Sequence, residues 1–147
     1  MNLIIHLLIF ITTITTSQQK PLSTAVVKSA WLASSYSKQK HSFAPFKEIK
    51  GVKGKYRFKL FKEHLDFETA TSTITYVFES SKLKHEGCIS ISAHDKQGNY
   101  YLTELVYGKV DGETYSDIDI FELDRNRDYK TLIRYVVDVK GRQVLSF

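Results

Sequence analysis

Cysteine is nearly absent from this sequence: Cys88 is the only one among its 147 residues. The chain therefore cannot form an internal disulfide, although exported domains usually pair their cysteines. Three interpretations of the lone thiol stay open at this point. It pairs with another chain, it is buried and inert, or its partner is missing from this sequence.

Metal and catalytic motifs are also absent. The histidines beyond the first segment form no i, i+4 pair and have no cysteine partner at ligand spacing; they are His41, His64, His85 and His94. This excludes the common zinc patterns, and we expect neither a metal site nor a cofactor. The sequence also shows no Ser-His-Asp set and no activated cysteine, so we predict a protein that is not an enzyme.

The chain has no apolar run long enough to cross a bilayer comfortably. The stretch from Leu3 to Ile14 is apolar without any Asp, Glu, Lys or Arg, and small polar residues follow it up to Ser17. A segment of this length and composition predicts a signal peptide over residues 1–17, cleaved before Gln18. We therefore expect a secreted, extracellular domain over residues 18–147, with no membrane span.

The positive charge is spread along the chain. There are 21 Lys and Arg against 16 Asp and Glu, a formal net charge of +5. The densest basic run, KEIKGVKGKYRFKLFKEH over residues 47–64, alternates lysines with apolar residues and acids. This is typical of the solvent-facing side of a strand, whereas a nucleic-acid site clusters basic residues without acids. We expect no nucleic-acid partner, although the charge is compatible with weak attraction to anionic surfaces.

The rest of the chain predicts strands. No stretch after residue 17 keeps a 3.6-residue apolar period with caps at both ends. Short alternating segments between turn residues predict eight strands: one around Trp31, then residues 56–62, 73–80, 88–94, 100–107, 114–123, 129–139 and 142–147. We therefore expect an all-β fold, an eight-stranded antiparallel up-and-down β-barrel, since closure removes exposed edges. Such a barrel is either filled by side chains or holds one small ligand, and periodicity does not decide which.

Four motifs follow one another as they do in one known family. GKYRFKLFKEHLDF, residues 54–67, matches the region of that family's second strand. Cys88 within EGCISISAHDKQGNY takes the place of the family's strand cysteine, and Asp128–Tyr129 within DRNRDYKTLIRYVVDVKG falls in its second signature. Ser29-Ala30-Trp31 keeps the Trp of its Gly-x-Trp motif and lacks the Gly. From about Ala25 onward, the chain resembles the lipocalins of the mammalian odorant-binding and urinary pheromone-carrier type.

Two departures from the family pattern shape our expectations. The family's strand cysteine pairs with one in a C-terminal segment that also carries a helix, and this sequence ends at Phe147 without that segment. We expect the eighth strand to be truncated, which would leave an unpaired edge and favour a homodimer. The family's arginine that stacks on the first-strand Trp would lie at or past the end, so Trp31 would lack its cation–π partner.

The resemblance also implies site residues. An inward-facing set would line a pocket for a small hydrophobic ligand: Phe58, Leu60, Tyr76, Phe78, Ile91, Leu102, Phe121 and Val136. Tyr76 would supply the polar group that orients the ligand. Structural roles are implied for Trp31, as a plug at the closed end of the barrel, and for Cys88, Asp128 and Tyr129.

The function expected from this resemblance is that of a secreted carrier of small hydrophobic molecules, odorant or pheromone-like, with no chemistry performed on them. A hypothesis of another class is a cationic β-domain that acts through its surface on a protein or an anionic glycan. Binding by surface lysines should weaken steeply with salt, whereas apolar burial should barely change. A product that binds nothing is the third hypothesis.

Overall fold

The structure, a computed structural model, describes residues 19–110 and 113–140. The expected signal peptide and the expected strand at 142–147 lie outside the described residues. The described part contains eleven strands: β1 (Ser23–Ala33), β2 (Tyr36–Ser37), β3 (Ser42–Phe43), β4 (Lys47–Glu48), β5 (Arg57–Leu60), β6 (His64–Glu68), β7 (Thr73–His85), β8 (Cys88–His94), β9 (Tyr100–Val110), β10 (Glu113–Leu123) and β11 (Tyr129–Lys140). Within the same residues, no helix is long and apolar enough to cross a membrane.

Eight of these strands form a closed antiparallel barrel. Its order is β1, β5, β6, β7, β8, β9, β10 and β11, each paired with the next, and β11 pairs back onto β1. β4 extends the sheet beside the second half of β1, and β2 and β3 form a separate two-stranded ladder. The predicted all-β, eight-stranded up-and-down barrel is confirmed.

Two strand assignments differ from the prediction. The expected strand 56–62 ends at Leu60, and the chain turns at Phe61, Lys62 and Glu63 into β6, which was not predicted and forms a hairpin with β5. Because this hairpin adds a strand, the strand that closes the barrel is β11, paired with β1 from Thr24↔Lys140 to Ala33↔Leu132. No unpaired edge exists between these two strands, so the argument for a homodimer from a truncated last strand loses its basis.

The core lies inside the barrel and follows the two-residue period of the strands. On β10, Ile118 and Ile120 face inward and alternate with Asp117 and Asp119. Their inward neighbours on the other strands are mostly apolar, and Phe58, Leu65, Ile91 and Val27 are almost fully buried. The hydrophobic effect on this inner face therefore fixes the pairing register, since a one-residue slip would expose the whole set.

At one end of the barrel lie the β8–β9 and β10–β11 turns. In each of them, one aspartate side-chain oxygen accepts hydrogen bonds from two backbone N–H groups. Asp95 Oδ1 accepts hydrogen bonds from the backbone N–H groups of Gln97 and Asn99, both at 2.9 Å. Asp124 Oδ1 accepts from the N–H groups of Asn126 and Asp128 at 2.8 and 2.9 Å. Such Asx turns fix the chain reversal locally. Asp128 thus takes part in a turn.

Candidate functional site

Aromatic rings fill the middle of the barrel. The ring of Phe58 lies 4.7 Å from that of Phe67 and 5.0 Å from that of Tyr135, and Phe67 and Tyr135 are 5.2 Å apart. Tyr76 and Tyr101 form a second pair at 4.9 Å. Such contacts add about 0.5–1.5 kcal/mol each beyond the area buried. The middle of the barrel is therefore packed core.

A cavity lies at the end of the barrel opposite the Asp95 and Asp124 turns. The space open to the centre of a water-sized sphere is ≈ 50 Å³, and the envelope that includes solvent at the mouth is ≈ 570 Å³. Its described lining is Leu22, Ser23, Ala25, Phe58, Leu60, Leu65, Leu105, Val106, Tyr107, Ser116, Asp117, Ile118, Val137 and Val139. Since a water needs about 10–15 Å³ by this measure, the cavity has room for a compact apolar group and is partly open to solvent.

The cavity exists because the barrel wall is uneven at this end. β6 pairs with β7 only up to His64↔Val77, and the last bond between them runs from the N–H of Phe78 to the carbonyl of Glu63 at 2.9 Å. β7 continues to His85 alongside β8 alone, and the side chains from Ser80 to His85 are exposed. The described lining accordingly comes from β1, β5, β6, β9, β10 and β11 and the residue before β1.

The structure brings some of the expected pocket residues to this cavity. Phe58 and Leu60 line it. Tyr76 and Ile91 are buried in the core, and Phe78 packs against that core, but these three are not among the described lining residues. The ligand-binding role of the whole set stays a prediction.

Three expected pocket residues face away from the core, opposite to their predicted inward orientation. Leu102 pairs with Phe121 across β9 and β10, and Val136 pairs with Asp117 across β10 and β11. These pairs lie on the face that carries Asp119, because successive residues of a strand point to opposite sides of the sheet. All three residues are apolar, so their residue types alone did not distinguish this partly buried outer position from the core.

A small aromatic cluster covers this outer face at one end. Phe121 contacts Phe43 at 5.8 Å and Tyr129 at 5.4 Å between ring centroids. Tyr36 lies 5.0 Å from Phe43 and 4.9 Å from Tyr129. The β2–β3 ladder therefore packs its rings onto β10 and β11. This contact explains why Phe121 and Tyr129 are apolar without facing the interior.

The expected plug, Trp31, also lies on the outside, which is a second correction. Its side chain is 37% exposed, between Glu48 of β4 and Arg134 of β11. A β-bulge between Val27 and Ser29 shifts the alternation of β1, so that Ala30 faces the core and Trp31 faces solvent. An arginine does neighbour Trp31, but the guanidinium of Arg134 binds Asp119 and lies over Phe46, 5.7 Å from its ring centroid.

Buried carboxylates on the outer face are paired with cations. Asp119, whose side chain is 3% exposed, accepts hydrogen bonds from Arg134 Nε and Nη2 at 2.9 and 2.7 Å. Glu104 accepts one from Lys84 Nζ at 2.7 Å. Burial raises the pKa of Asp117, and neighbouring Asp119 raises it further while Arg134 opposes the rise. These contacts use the carboxylates for pairing between strands and hold the barrel wall together.

Cys88 is buried near these carboxylates and forms no disulfide. Burial raises the pKa of its thiol, and the charge of Glu104 raises it further. The thiolate is the nucleophilic form of cysteine, so this environment disfavours attack by Cys88. The interpretation of a buried, unreactive thiol is the one that fits these surroundings.

Tyr76 does not supply a polar group to the cavity. Its ring packs against Tyr101, whose hydroxyl donates to Asp95 Oδ2 at 3.1 Å beside the β8–β9 turn, at the opposite end of the barrel. Burial raises the pKa of Tyr76 to about 12, with further contributions from Asp95 and Glu122. The polar side chains that do line the cavity include Ser23, Tyr107 and Ser116.

Most of the lining was missed from the sequence, although one signal was readable. SDIDIFEL in β10 alternates charged and apolar residues, which places Ile118 and Ile120 on one face and Asp119 and Phe121 on the other. This alternation predicts that Ile118 faces the pocket and that Phe121 lies outside it. Val137 and Val139 carry the same signal, because the charged residues Asp138 and Lys140 alternate with them, whereas Leu22 lies between Pro21 and Ser23 and has none.

Within residues 19–110 and 113–140, no group of three His, Cys, Asp or Glu side chains is arranged to hold a metal ion. No protein-family model matches the chain, and no curated protein or solved structure is similar enough to count as a match. The structure thus establishes the barrel, while the resemblance to lipocalins depends on the sequence motifs.

Proposed function

We propose that this protein is a secreted carrier of the lipocalin kind, which reversibly binds one small, compact hydrophobic molecule in the cavity at the end of the barrel. The observation that carries the proposal is the apolar lining of that cavity, with leucine, isoleucine, valine, alanine and phenylalanine side chains from six strands. The binding energy comes from removing ligand and wall from water, and a few polar groups at the mouth orient the ligand.

The size of the cavity limits both the ligand and the affinity. A compact ligand that buries roughly 200 Å² of its own apolar surface, and about as much of the wall, would gain about 10 kcal/mol. Association costs at least about 4 kcal/mol of this, which leaves at most about 6 kcal/mol and a dissociation constant of about 40 μM or weaker. The proposed ligand is therefore a small alcohol, ketone or ester, or the end of an alkyl chain, and a bulky ring system would be excluded.

The proposed mechanism is binding without covalent chemistry. The described lining contains serine and tyrosine hydroxyls, and its one carboxyl group, that of Asp117, lies on the outward-facing side of β10. Ser116 points to the opposite face of the sheet from Asp117, and a serine without an adjacent base is a weak nucleophile. The ligand is expected to leave the cavity unchanged.

The test is a titration of the full chain with an uncharged, environment-sensitive apolar dye, followed by competition with small alcohols and ketones. Two matched variants on β11 decide whether the cavity is the site. Val139 lines the cavity and Val136 faces outward, and both side chains are partly buried. Val139→Phe should raise the dye's dissociation constant at least about tenfold by filling the mouth, whereas Val136→Phe should leave it unchanged.

Saturable, one-to-one and salt-insensitive binding that only Val139→Phe weakens would support the proposal. Equal effects of the two variants would exclude the cavity as the site. Absence of saturable binding by a folded monomer would refute the carrier function. Binding that falls steeply with salt would instead favour the surface-acting alternative, for which the exposed lysines of the segment 47–55 are the candidates.

A further inference from the structure

Three exposed apolar side chains surround the mouth of the cavity, and we call them the mouth rim: Leu22, Leu83 and Tyr107. They are 57%, 67% and 40% exposed, the highest values among the large hydrophobic residues of the described chain. Single exposed leucines are ordinary on protein surfaces, but the convergence of three around one opening is not. Their common position needs an explanation beyond chance exposure.

Their placement at one opening follows from the pairing of the strands. Leu22 and Tyr107 both line the cavity. Leu83 on β7 lies opposite Ile89 on β8, which in turn lies opposite the lining residue Leu105 on β9. The N–H of Tyr107 donates to the carbonyl of Gly87, at the β7–β8 turn, at 2.7 Å. The rim therefore spans the side of the mouth where β7 has left β6.

Exposed lysines flank the mouth rim. Lys82 is adjacent to Leu83, Lys20 is two residues before Leu22, and Lys62 lies in the turn between β5 and β6 at the same end. The exposed acids at this end include Glu63, Glu86 and Asp138, the last between the lining residues Val137 and Val139. Apolar tips surrounded by lysines match the two layers of an anionic membrane surface, which is apolar below and negatively charged at the headgroups.

We propose that the mouth rim docks on an anionic phospholipid surface, with Leu22, Leu83 and Tyr107 entering the interface and Lys20, Lys62 and Lys82 facing the headgroups. This inference depends on the proposed function in one respect, namely that docking opens the cavity to a hydrophobic ligand dissolved in the membrane. A hydrophobic ligand partitions into bilayers, so a carrier that docks with its mouth can take up the ligand without passing it through water. The partner is a lipid surface, and membrane crossing is not part of the proposal.

The test places an environment-sensitive nitrobenzoxadiazole label at either end of β7 in the full chain. Leu83→Cys puts the label on the mouth rim, and Ile74→Cys puts it at the start of the same strand, where Ile74 is 39% exposed. Cys88 is buried, and the parent protein treated with the same label controls for any reaction there. Vesicles of phosphatidylcholine alone are compared with vesicles that also contain phosphatidylserine.

We expect blue-shifted, brighter emission from position 83 on the phosphatidylserine vesicles only, reversed by salt, with no change at position 74. Lys62→Gln and Lys82→Gln should each lower vesicle affinity about fivefold, which corresponds to about 1 kcal/mol for each lysine near such a surface. The double variant Leu22→Ser and Leu83→Ser should lower it at least about tenfold, whereas Ile74→Ser should not change it. All variants keep the same N-terminal segment, so differences between them belong to the rim.

Equal responses at positions 83 and 74, or no response at 83, would overturn the docking proposal. Dye binding in the absence of vesicles separates the two proposals. Docking at position 83 by a protein that binds no dye would refute the carrier function alone. Dye binding without a response at position 83 would refute docking alone.

Discussion

Gly87 is the position where the structure predicts the sharpest effect of a single methyl group. It has φ +78°, and a Cβ placed there would lie 2.2 Å from the carbonyl oxygen of Tyr107. Gly98 offers a matched comparison, because its φ is +82° and nothing lies within 4 Å of the corresponding Cβ. Gly87→Ala and Gly98→Ala therefore share the cost of a left-handed alanine, and only the first adds a backbone clash.

The two costs can be estimated separately. An alanine in the left-handed region costs about 1–2 kcal/mol relative to glycine. At Gly87 the clash must also move the β7–β8 turn away from β9 and break the 2.7 Å bond from the N–H of Tyr107 to the carbonyl of Gly87. An unsatisfied backbone group adds about 1–3 kcal/mol. We therefore expect about 3 kcal/mol for Gly87→Ala and about 1 kcal/mol for Gly98→Ala.

Thermal and urea unfolding of the two variants against the parent protein provide the assay. At about 2–4 °C per kcal/mol for a chain of this size, the melting temperatures of the two variants should differ by about 6 °C. Gly87→Ala should also weaken dye binding, because Tyr107 lines the cavity, and Gly98→Ala should not. Equal destabilisation by the two substitutions would refute the close approach of the β7–β8 turn to β9.

Two further predictions concern buried polar groups. Arg134→Leu should destabilise the fold by about 3 kcal/mol in urea unfolding, the low end of the range for a broken buried pair because the Arg134 side chain is 43% exposed. Adding Asp119→Asn should recover most of that loss, and strictly additive effects would contradict the pairing. The pKa of Tyr76 is raised by burial to about 12, against about 10 in the unfolded chain. The unfolded chain thus loses this proton first, so stability that is fully present below about pH 10 should fall by about 2 kcal/mol up to pH 12. Tyr76→Phe should flatten this fall in alkaline unfolding followed by circular dichroism, and an unchanged slope would argue against burial of the hydroxyl.

The barrel could be predicted from the sequence because its signals are local. Alternation within each strand and turn residues between strands are short-range patterns, and they were enough for the all-β class, seven of the eight barrel strands and the up-and-down order. The β5–β6 hairpin was missed because its turn, Phe61-Lys62-Glu63, contains no glycine, proline, asparagine or aspartate. The two consecutive apolar residues Leu60 and Phe61, which break the alternation, are the remaining trace of that turn and mark the reversal between two strands.

The faces of the strands were harder to predict than their existence. Where one face is charged, as with Asp117 and Asp119 on β10, parity assigns the inward residues correctly. It fails where both faces are apolar, as at Phe121, which packs under Phe43 at a ring distance of 5.8 Å. It also fails at the bulge between Val27 and Ser29, which turns Trp31 outward. A bulge inserts one residue for reasons of tertiary packing, and the sequence of β1 alone does not predict it.

The cavity and the mouth rim have the same origin in unequal strand lengths. β6 has 5 residues and β7 has 13, so the wall of the barrel loses one side after Val77 while β7 continues with β8 alone. The rings of Phe58, Phe67 and Tyr135 fill the barrel up to that level. Beyond it the interior lacks the side chains that β6 would have supplied, which leaves the apolar space, and Leu83 lacks a neighbour on that side, which leaves it exposed. A site for a hydrophobic ligand and an apolar surface beside its opening thus follow from one feature of the chain, the short β5–β6 hairpin.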